Sequence, residues 1–461
     1  MVCLQKLWLL QAWVCLLLTT GCGNLYTGEE TLFDPEMGED GNVRDERVPI
    51  MIAFDDPYYN ILSRGVGKID PEDEWFENKM NPLDPETGLP LPPAQKPPFF
   101  IYAFKKVNNF GYRVTRKDDK EICLIDGSCG LQGDVAKEYP DKMLEGHGKW
   151  AYYNGNGSFI KWVYDNDSDF EEMFYSTESP NAPYDFFAYH HGGAASGPVE
   201  RTADYIRFPV TIDGSQDLMC GMAELTDEQL ADIAEMENEE DKQRIKEFHY
   251  SAFSGRLNIW PIFKLRHQLA YVKFNLIAGN AHGDPVRVHG VTLKTHTEGN
   301  FVVVARDGNI GATFNPNSEQ VYLNIRHLKD GSELTPERWD EISALSVEEG
   351  GYRLEYYSEE EQLANGGKER PDPYPAGELL VPPGNNTVLR MRLSNNDTHG
   401  EIETTEISLK DEFGKGTGLM AGRIYNLNIT VYGPKQISIE VEATPWKDGG
   451  DVDVDIEENE K

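Results

Sequence analysis

Apolar and polar residues alternate along two runs near the C-terminus of the chain, and Gly433-Pro434 separates the two runs. Side chains along a β-strand point to opposite faces with a period of two, so each run predicts a half-buried strand. A short connection that contains Gly and Pro predicts that the two strands form a hairpin. The apolar positions are Tyr425, Leu427, Ile429 and Val431 in the first run, and Ile437, Ile439 and Val441 in the second.

Runs of aromatic and β-branched residues recur along the chain, separated by Gly, Asn and Asp. This composition is typical of strands, and the close spacing of the runs predicts antiparallel sheets. In the first part of the chain the predicted strands are residues 48–54, 99–104, 110–115, 121–125, 149–153, 158–164, 185–193, 205–212 and 257–277. Later strands are predicted at VRVHGVTLKT, NFVVVA, QVYLNI, YRLEYY, ELLVP, TVLRMRL and EIETTEISLK.

Residues 225–250 break the strand pattern. Thr226 and Gln229 form a capping-box signature, and apolar residues then recur at helical spacing. We therefore expect a charged surface helix, interrupted near Asn238 and inserted between two strands, whose acidic face is solvated. Two short helices are also predicted, one that begins at Thr335-Pro336 and one that begins at Ser358.

A chain of 461 residues is long enough for about two domains of ordinary size. Residues 280–285 (NAHGDP) have the composition of a turn, and we place the domain boundary there. The predicted fold is all-β: two tandem antiparallel β-sandwich domains, at residues 48–282 and 283–461, with a helical insertion in the first. Residues 22–47 are polar and acidic, and they predict a tether.

The chain is strongly acidic, with 79 Asp and Glu residues against 43 Lys and Arg residues and a net charge of −36. Nucleic-acid binding requires clustered positive charge, so DNA and RNA are excluded as expected partners. The simplest interpretation of the charge is a soluble surface that repels its own copies.

Residues 1–21 have the features of an export signal: Lys6, then an apolar run over residues 7–18 that is shorter than a membrane span. The end of this segment resembles a bacterial lipoprotein signal, which is cleaved before a cysteine that then receives acyl chains, including palmitate. We predict that Cys22 is this lipidated residue and anchors the protein to the outer membrane. The alternative is an ordinary secretory signal followed by an incidental cysteine.

The remaining cysteines do not form a disulfide framework, because Cys123, Cys129 and Cys220 are an odd set. Cys123 and Cys129 flank a turn and either form a disulfide across it or are both free. Neither zinc spacing nor another metal site is predicted. Residues 165–169 begin like a calcium loop, but Phe170 and Ser176 occupy positions that require Gly and Glu. Catalytic motifs and cofactor motifs are absent from the sequence, so we predict no cofactor and no enzymatic activity.

Four segments resemble the fimbrillins of Bacteroidales, also called type V pilins. They occur in the order in which the family has them: DFFAYHHGG at residues 185–193, QDLMCG at 216–221, KLRHQLAYVKFNL at 264–276, and AGRIYNLNITVYG followed by a strand and Trp446. The resemblance spans most of the chain after residue 22. It implies transthyretin-like sandwiches and delivery to the outer membrane as a lipoprotein that assembles into fimbriae.

The resemblance also implies maturation by a trypsin-like protease that cuts after a basic residue and removes the first strand. Here that strand is residues 48–54, and Arg64 follows it, which makes Arg64 the predicted site. A cut at Arg47, before the strand, would free the lipid without opening a groove. The alternative is that no cut occurs and that the protein stays anchored to lipid.

In stalk subunits of this family, a strand from the next subunit fills the groove that the first strand leaves. The predicted donor segment has three alternating apolar residues, Val452, Val454 and Ile456. The alternatives are that this segment is the last strand of its own sandwich or a frayed acidic tail.

The expected function is that of a fimbrial subunit or fimbria-associated surface lipoprotein that takes part in cell adhesion. Its expected partners are other fimbrial subunits, the outer membrane and ligands on host or bacterial surfaces. The alternative function is a monomeric surface lipoprotein that binds a glycan through exposed aromatic residues such as Trp150, Trp162 and Tyr189. Aromatic residues at alternating strand positions are also typical of a core.

Overall fold

The fold was analysed in a computed structural model. It describes residues 48–54, 84, 87, 99–106, 123–125, 147–153, 160–162, 173–175, 182–247, 249–279, 285–325, 352–384, 386–395, 402–409 and 418–445. Within these ranges most residues lie in β-strands, and the helices are short, so the predicted all-β class is confirmed. The predicted strand at residues 110–115 and the predicted helix at Thr335-Pro336 lie outside the described residues.

The strands are numbered in chain order. They are β1 (Ala53–Phe54), β2 (Phe99–Lys105), β3 (Cys123–Ile125), β4 (Lys149–Tyr153), β5 (Ile160–Trp162), β6 (Tyr184–His190), β7 (Glu200–Arg201), β8 (Tyr205–Thr211), β9 (Met219–Met222), β10 (Ile262–Phe263), β11 (Arg266–His267), β12 (Ala270–Ala278), β13 (Val286–His296), β14 (Glu298–Ala305), β15 (Gly311–Phe314), β16 (Gln320–Asn324), β17 (Tyr352–Leu354), β18 (Tyr374–Val381), β19 (Val388–Asn395), β20 (Glu403–Ser408), β21 (Arg423–Gly433) and β22 (Gln436–Pro445).

Strand β2 lies at the centre of the first large sheet, whose order is β11-β9-β6-β2-β4-β5 with β3 also on β2. A second sheet, of order β15-β14-β8-β7, covers one face of it. Tyr102 and its neighbours at alternate positions point into this interface, whereas Ile101 belongs to a separate apolar cluster on the opposite face. Burial on both faces explains why β2 is continuously apolar instead of alternating.

Three helices follow β9: α1 (Asp227–Glu235), α2 (Glu239–Glu247) and α3 (Ala252–Arg256). Helix α3 and neighbouring loops pack on the other face of the first sheet, through residues such as Ala252 and Tyr250. Ile233 of α1 and Ile245 of α2 form a smaller apolar cluster with Ile259. The predicted helical insertion is confirmed, and so is the capping box: the Gln229 N–H donates to Thr226 Oγ1 over 3.2 Å. The chain breaks between α1 and α2 where predicted. Helix α3 was not predicted, because a helix of five residues has too few positions to show a helical period.

The last part of the chain forms a sandwich of two sheets, of order β18-β12-β21-β22 and β16-β13-β19-β20, with β17 also on β13. Their facing side chains make one apolar core. The predicted C-terminal hairpin is confirmed: β21 and β22 pair antiparallel, with Ile429 opposite Ile439. Helix α4 (Glu359–Ala364) is also confirmed, with Ser358 and Glu361 as its capping box.

Strand pairing crosses the predicted domain division at residue 282 in both directions. Strand β12, before this residue, pairs with β18 and β21, whereas β14, after it, pairs with β8. The β12–β21 pair is parallel, as is β1–β10, in a structure otherwise built from antiparallel pairs. Residues 280–285 therefore connect β12 to β13, which belong to the two facing sheets of one sandwich.

Gly221, in the QDLMCG segment, allows a close approach of two backbones. A Cβ atom at this position would lie 2.0 Å from the carbonyl oxygen of Lys264. We expect Gly221→Ala to lower the free energy of unfolding by about 1–3 kcal/mol, because the backbone of β9 must move away. Gly433→Ala is the matched control, since a Cβ there has no neighbour within 4 Å, and its effect is expected to stay within about 0.5 kcal/mol. Urea unfolding measures both, and equal effects would contradict the prediction.

Candidate strand-exchange groove

Residues 48–54 form a short segment in which every second side chain from Val48 to Ile52 is buried. Val48, Ile50 and Ile52 are 7%, 2% and 1% exposed, whereas Pro49 and Met51 between them are half-buried. The three apolar side chains join the core cluster on the face of the first sheet that lies opposite the second sheet. The segment therefore fills part of the core, as predicted for a strand.

The backbone of this segment lies between two other stretches of chain. On one side, the Ile50 N–H donates to Met173 O over 2.7 Å and the Tyr175 N–H donates to Val48 O over 2.9 Å. On the other side, the Ala53 N–H donates to Pro261 O, and β1 pairs in parallel with β10. Each side makes a short contact: Pro49 forms a single bridge with Phe174, and β1 has only two residues.

The residues beneath the segment pack closely against it. Gly255, in α3, lies directly under Val48, where an added Cβ atom would come within 2.9 Å of Val48 Cγ1. Tyr175 and Phe263, from the two flanking stretches, complete the apolar surroundings. Burial raises the pKa of the Tyr175 hydroxyl well above its usual value, so this ring stays neutral at physiological pH.

The arrangement combines large apolar burial with short backbone pairing. Burying one Val or Ile side chain contributes about 1.5–3 kcal/mol, so three of them dominate the attachment of the segment. If the segment left, an apolar groove would remain between two stretches with free backbone groups, and a strand with apolar residues at alternate positions would satisfy both requirements.

The other site residues predicted from the sequence lie outside the described residues or at their edge. Arg47 and Arg64 fall on either side of the segment and are not described, and the same holds for Cys22, Cys129 and the residues Val452, Val454 and Ile456. Cys123 is the first residue of β3. Lipidation, cleavage, the disulfide and strand donation therefore stay predictions. Cys220, the remaining cysteine, is buried and free.

Sequence analysis missed a buried polar pair in the first sheet. His267 Nδ1 lies 2.8 Å from Asp217 Oδ2, with both side chains almost fully buried. The pair joins the QDLMCG segment to the KLRHQLAYVKFNL segment, and Gly192 of DFFAYHHGG packs against the Asp217 backbone. Three of the four segments that resemble the fimbrillins thus meet at one place. A lone Asp and a lone His inside apolar motifs were the only available signal.

Tyr189 was predicted as one of the exposed aromatic residues of a glycan site, and this prediction is wrong. The side chain is completely buried, because it belongs to the apolar core between the first sheet and the second sheet. Its hydroxyl accepts the Gly148 N–H and makes a 2.7 Å hydrogen bond with His147 Nδ1. The side chains of Trp150 and Trp162 are not described.

His191 belongs to the same aromatic cluster. Its ring stacks on Phe100 with 5.0 Å between centroids, and His147 lies 5.2 Å away. Burial, together with His147 and His190, lowers the pKa of His191 to about 3. Gly193 N–H donates to its Nδ1, while its Nε2 contacts no hydrogen-bonding group of the described chain.

The described residues contain no group of three or more His, Cys, Asp or Glu side chains arranged to hold a metal ion. Among the helices in these ranges, none combines the length and the apolar character needed to cross a bilayer.

Protein-family models and curated proteins give no match to this chain. Solved structures give distant matches. One match is a cell adhesion protein from Bacteroides uniformis, which is 11% identical to this chain with a TM-score of 0.40. The match covers 88% of this chain and 100% of that chain. A fimbrial protein from Bacteroides vulgatus has 11% identity and a TM-score of 0.38, with coverage of 76% and 93%. A fimbrial anchor protein from Porphyromonas gingivalis has 10% identity and a TM-score of 0.24, with coverage of 79% and 95%.

The low pKa of His191 predicts a loss of stability in acid. The unfolded chain binds a proton at this residue near pH 6.5, whereas the folded protein does so only near pH 3. The stability that neutral His191 provides is therefore complete above pH 6.5 and falls as the pH drops toward 3. Between pH 7 and pH 5 we expect the residue to account for a loss of about 2 kcal/mol.

Urea unfolding of the protein and of His191→Gln at both pH values measures this contribution. The variant cannot take up the proton, so its free energy of unfolding should fall by about 2 kcal/mol less over the same interval. Parallel pH dependence in the two proteins would refute the assignment, whatever the difference between them at pH 7.

Proposed function

We propose that this chain is a fimbrial subunit or fimbria-associated surface lipoprotein that contributes to cell adhesion and assembles by β-strand exchange. The observation that carries the proposal is how residues 48–54 are bound between residues 173–175 and 261–263, a site called the seat from here on. The three alternating side chains of residues 48–54 are buried in the core, while the backbone pairing on either side is short. Such a segment can be exchanged for another strand without rebuilding the rest of the fold.

The predicted donor segment matches this seat in spacing. Val452, Val454 and Ile456 repeat the two-residue spacing of Val48, Ile50 and Ile52. The residues between the donor positions are aspartates, and the corresponding positions of the seat, Pro49 and Met51, are only half-buried. A strand in this seat therefore has a solvated side for its carboxylates.

The chemistry of the flanks also favours this donor. The residues that border the seat are Met173 to Tyr175 on one side and Pro261 to Phe263 on the other, and none of them is acidic. An acidic donor strand meets no like charge directly opposite on either flank, and like charges in that position are destabilising.

The rest of the proposal concerns delivery and partners. Acylation of Cys22 would hold the protein at the outer membrane, and a cut after Arg64 would release the segment together with the lipid. The partners would then be other fimbrial subunits, and the assembled surface would meet ligands on host or bacterial cells. The glycan-binding alternative required an exposed Tyr189, one of its three named residues, but this side chain is buried.

Limited digestion of the purified protein with a trypsin-like protease tests the proposal. We expect loss of residues before Gly65, followed by oligomers, because the vacated groove accepts the donor strand of another copy. Arg64→Ala should block both events, while Arg47→Ala, the matched control, should leave both unchanged. N-terminal sequencing and size-exclusion chromatography report the two events.

A second pair of variants tests the donor strand. Val454→Asp places a carboxylate at an apolar position of the groove, so oligomers should be lost although cleavage still occurs. Asp453→Asn changes a solvated neighbour and should leave assembly intact. A protein whose oligomeric state does not increase on cleavage, or an increase that is equally large in Val454→Asp, would overturn the proposal.

A further inference from the structure

The outer edge of β22 is a long strand edge with no described neighbour. Strand β22 pairs with β21 along its whole length, from Gln436 to Pro445, and no strand in the described ranges pairs with its other side. The hairpin turn is fixed in place, because Thr405 Oγ1 of β20 donates to Pro434 O over 2.7 Å and Lys435 Nζ lies 2.9 Å from Glu403 Oε2. The edge is therefore held in one position.

Most of the usual protections of an edge strand are missing from the middle of β22, where the only charges are the outward Glu440 and Glu442. The inward positions Ile437, Ile439 and Val441 are only half-buried against the core of the sandwich. Between Gln436 and Thr444 the strand has neither an inward charge nor a proline, and its one register irregularity lies next to the turn. An edge of this kind is a template for another strand.

The chain's own C-terminal segment is a poor occupant of this edge. If residues 451–456 paired antiparallel with β22, with Val452 over Val441 and Val454 over Ile439, then Asp453 would lie opposite Glu440 and Asp451 opposite Glu442. Like charges directly opposite each other destabilise a strand pair. The same conflict arises when the segment comes from another copy.

A second copy of β22 fits better. We propose that two copies of this chain associate through antiparallel pairing of their β22 strands, with Ile439 opposite Ile439 of the second copy. In this register Ile437 of each copy lies opposite Val441 of the other, so three apolar pairs cover the half-buried side chains. On the outer face, Ser438 lies opposite Glu440 of the second copy, and Gln436 lies opposite Glu442.

The charges select this register. Only shifts that keep inward positions opposite inward positions preserve the apolar pairs, so the nearest alternatives move the symmetry axis by one residue. If the pair is centred on Glu440, the carboxylates of Glu440 in the two copies lie opposite each other. If it is centred on Ser438, Val441 of each copy lies opposite Lys435 of the other. The interface is isologous and closes as a dimer of two four-stranded sheets joined into one.

This association goes beyond the proposed strand exchange and does not require it. It uses an edge in the C-terminal sandwich, whereas the exchange groove lies under residues 48–54. The uncut protein should therefore dimerise, and Arg64→Ala should not alter the dimer. Failure of one proposal leaves the other standing.

Substitutions at Ser438 test the register, because this exposed residue occurs at two symmetric places in the interface. Ser438→Glu sets two new carboxylates opposite Glu440, and Ser438→Lys sets two ammonium groups there. We expect the dissociation constant to rise in the first variant and fall in the second, each by roughly 2- to 30-fold. Sedimentation equilibrium over a concentration series measures the constants.

The control variants are Ala231→Glu and Ala231→Lys, which make the same changes of net charge at an exposed position of α1. They should leave the dissociation constant within twofold of the unchanged protein. A protein that is monomeric throughout the series overturns the proposal. Equal shifts at Ser438 and Ala231 overturn it as well, because they would show that net charge alone controls the association.

Discussion

Burial of β2 and β6 on both faces is the constraint on which the first half of the molecule depends. Both strands carry apolar side chains on both faces: Tyr102 and Tyr189 belong to the core on the side of the second sheet, and Ile101 and Phe186 belong to the core on the opposite side. Each face therefore needs an apolar layer against it. A second sheet provides one layer. The other is assembled from small parts: helices, loops, and the segment that contains Val48, Ile50 and Ile52. The central sheet is therefore covered partly by a piece of chain whose hold on its neighbours is mostly apolar.

The stability of the central sheet therefore depends little on which strand covers this part of it. Backbone pairing within the central sheet is extensive, so the sheet keeps its register when one covering segment changes. In the strand exchange that we propose, the covering segment is selected by side-chain spacing and by the charge of its flanks. The proposed pairing at the edge of β22 that has no described neighbour follows the same two rules, but Glu440 and Glu442 reverse the preference for acidic partners. Charge patterning would thus distinguish the two proposed sites.

Much of the fold could be predicted from the sequence, because the signals were local. The hairpin of β21 and β22 follows from period-two alternation on either side of Gly433-Pro434, and α1 and α4 follow from their capping boxes. The groove could be predicted only as a strand at residues 48–54. Its flanks, at residues 173–175 and 261–263, are too short to carry a pattern of their own.

Features that join distant residues could not be predicted in this way. The contact between Asp217 and His267 has no period or spacing that marks it, because it depends on the pairing of β9 with β11. Burial of Tyr189 has the same origin, since alternation in one strand does not reveal how many layers cover it. The parallel pairing of β12 with β21 depends on segments far apart in the sequence, and local turn chemistry at residues 280–285 pointed to a boundary instead.

The interleaving of these strands has a consequence for how the protein acquires its structure. Strand β12 is complete at Ala278, but its parallel neighbour begins only at Arg423, and β14 must return to the sheet of β8 in between. Non-local pairing of this kind makes folding slow, because the entropy of closing long loops is lost before the strand pairs can stabilise the chain. An emerging chain that stops short of Arg423 leaves β12 half-paired and its apolar face open to aggregation. The chain is therefore safest from aggregation when it is kept unfolded until its last strands are available for pairing.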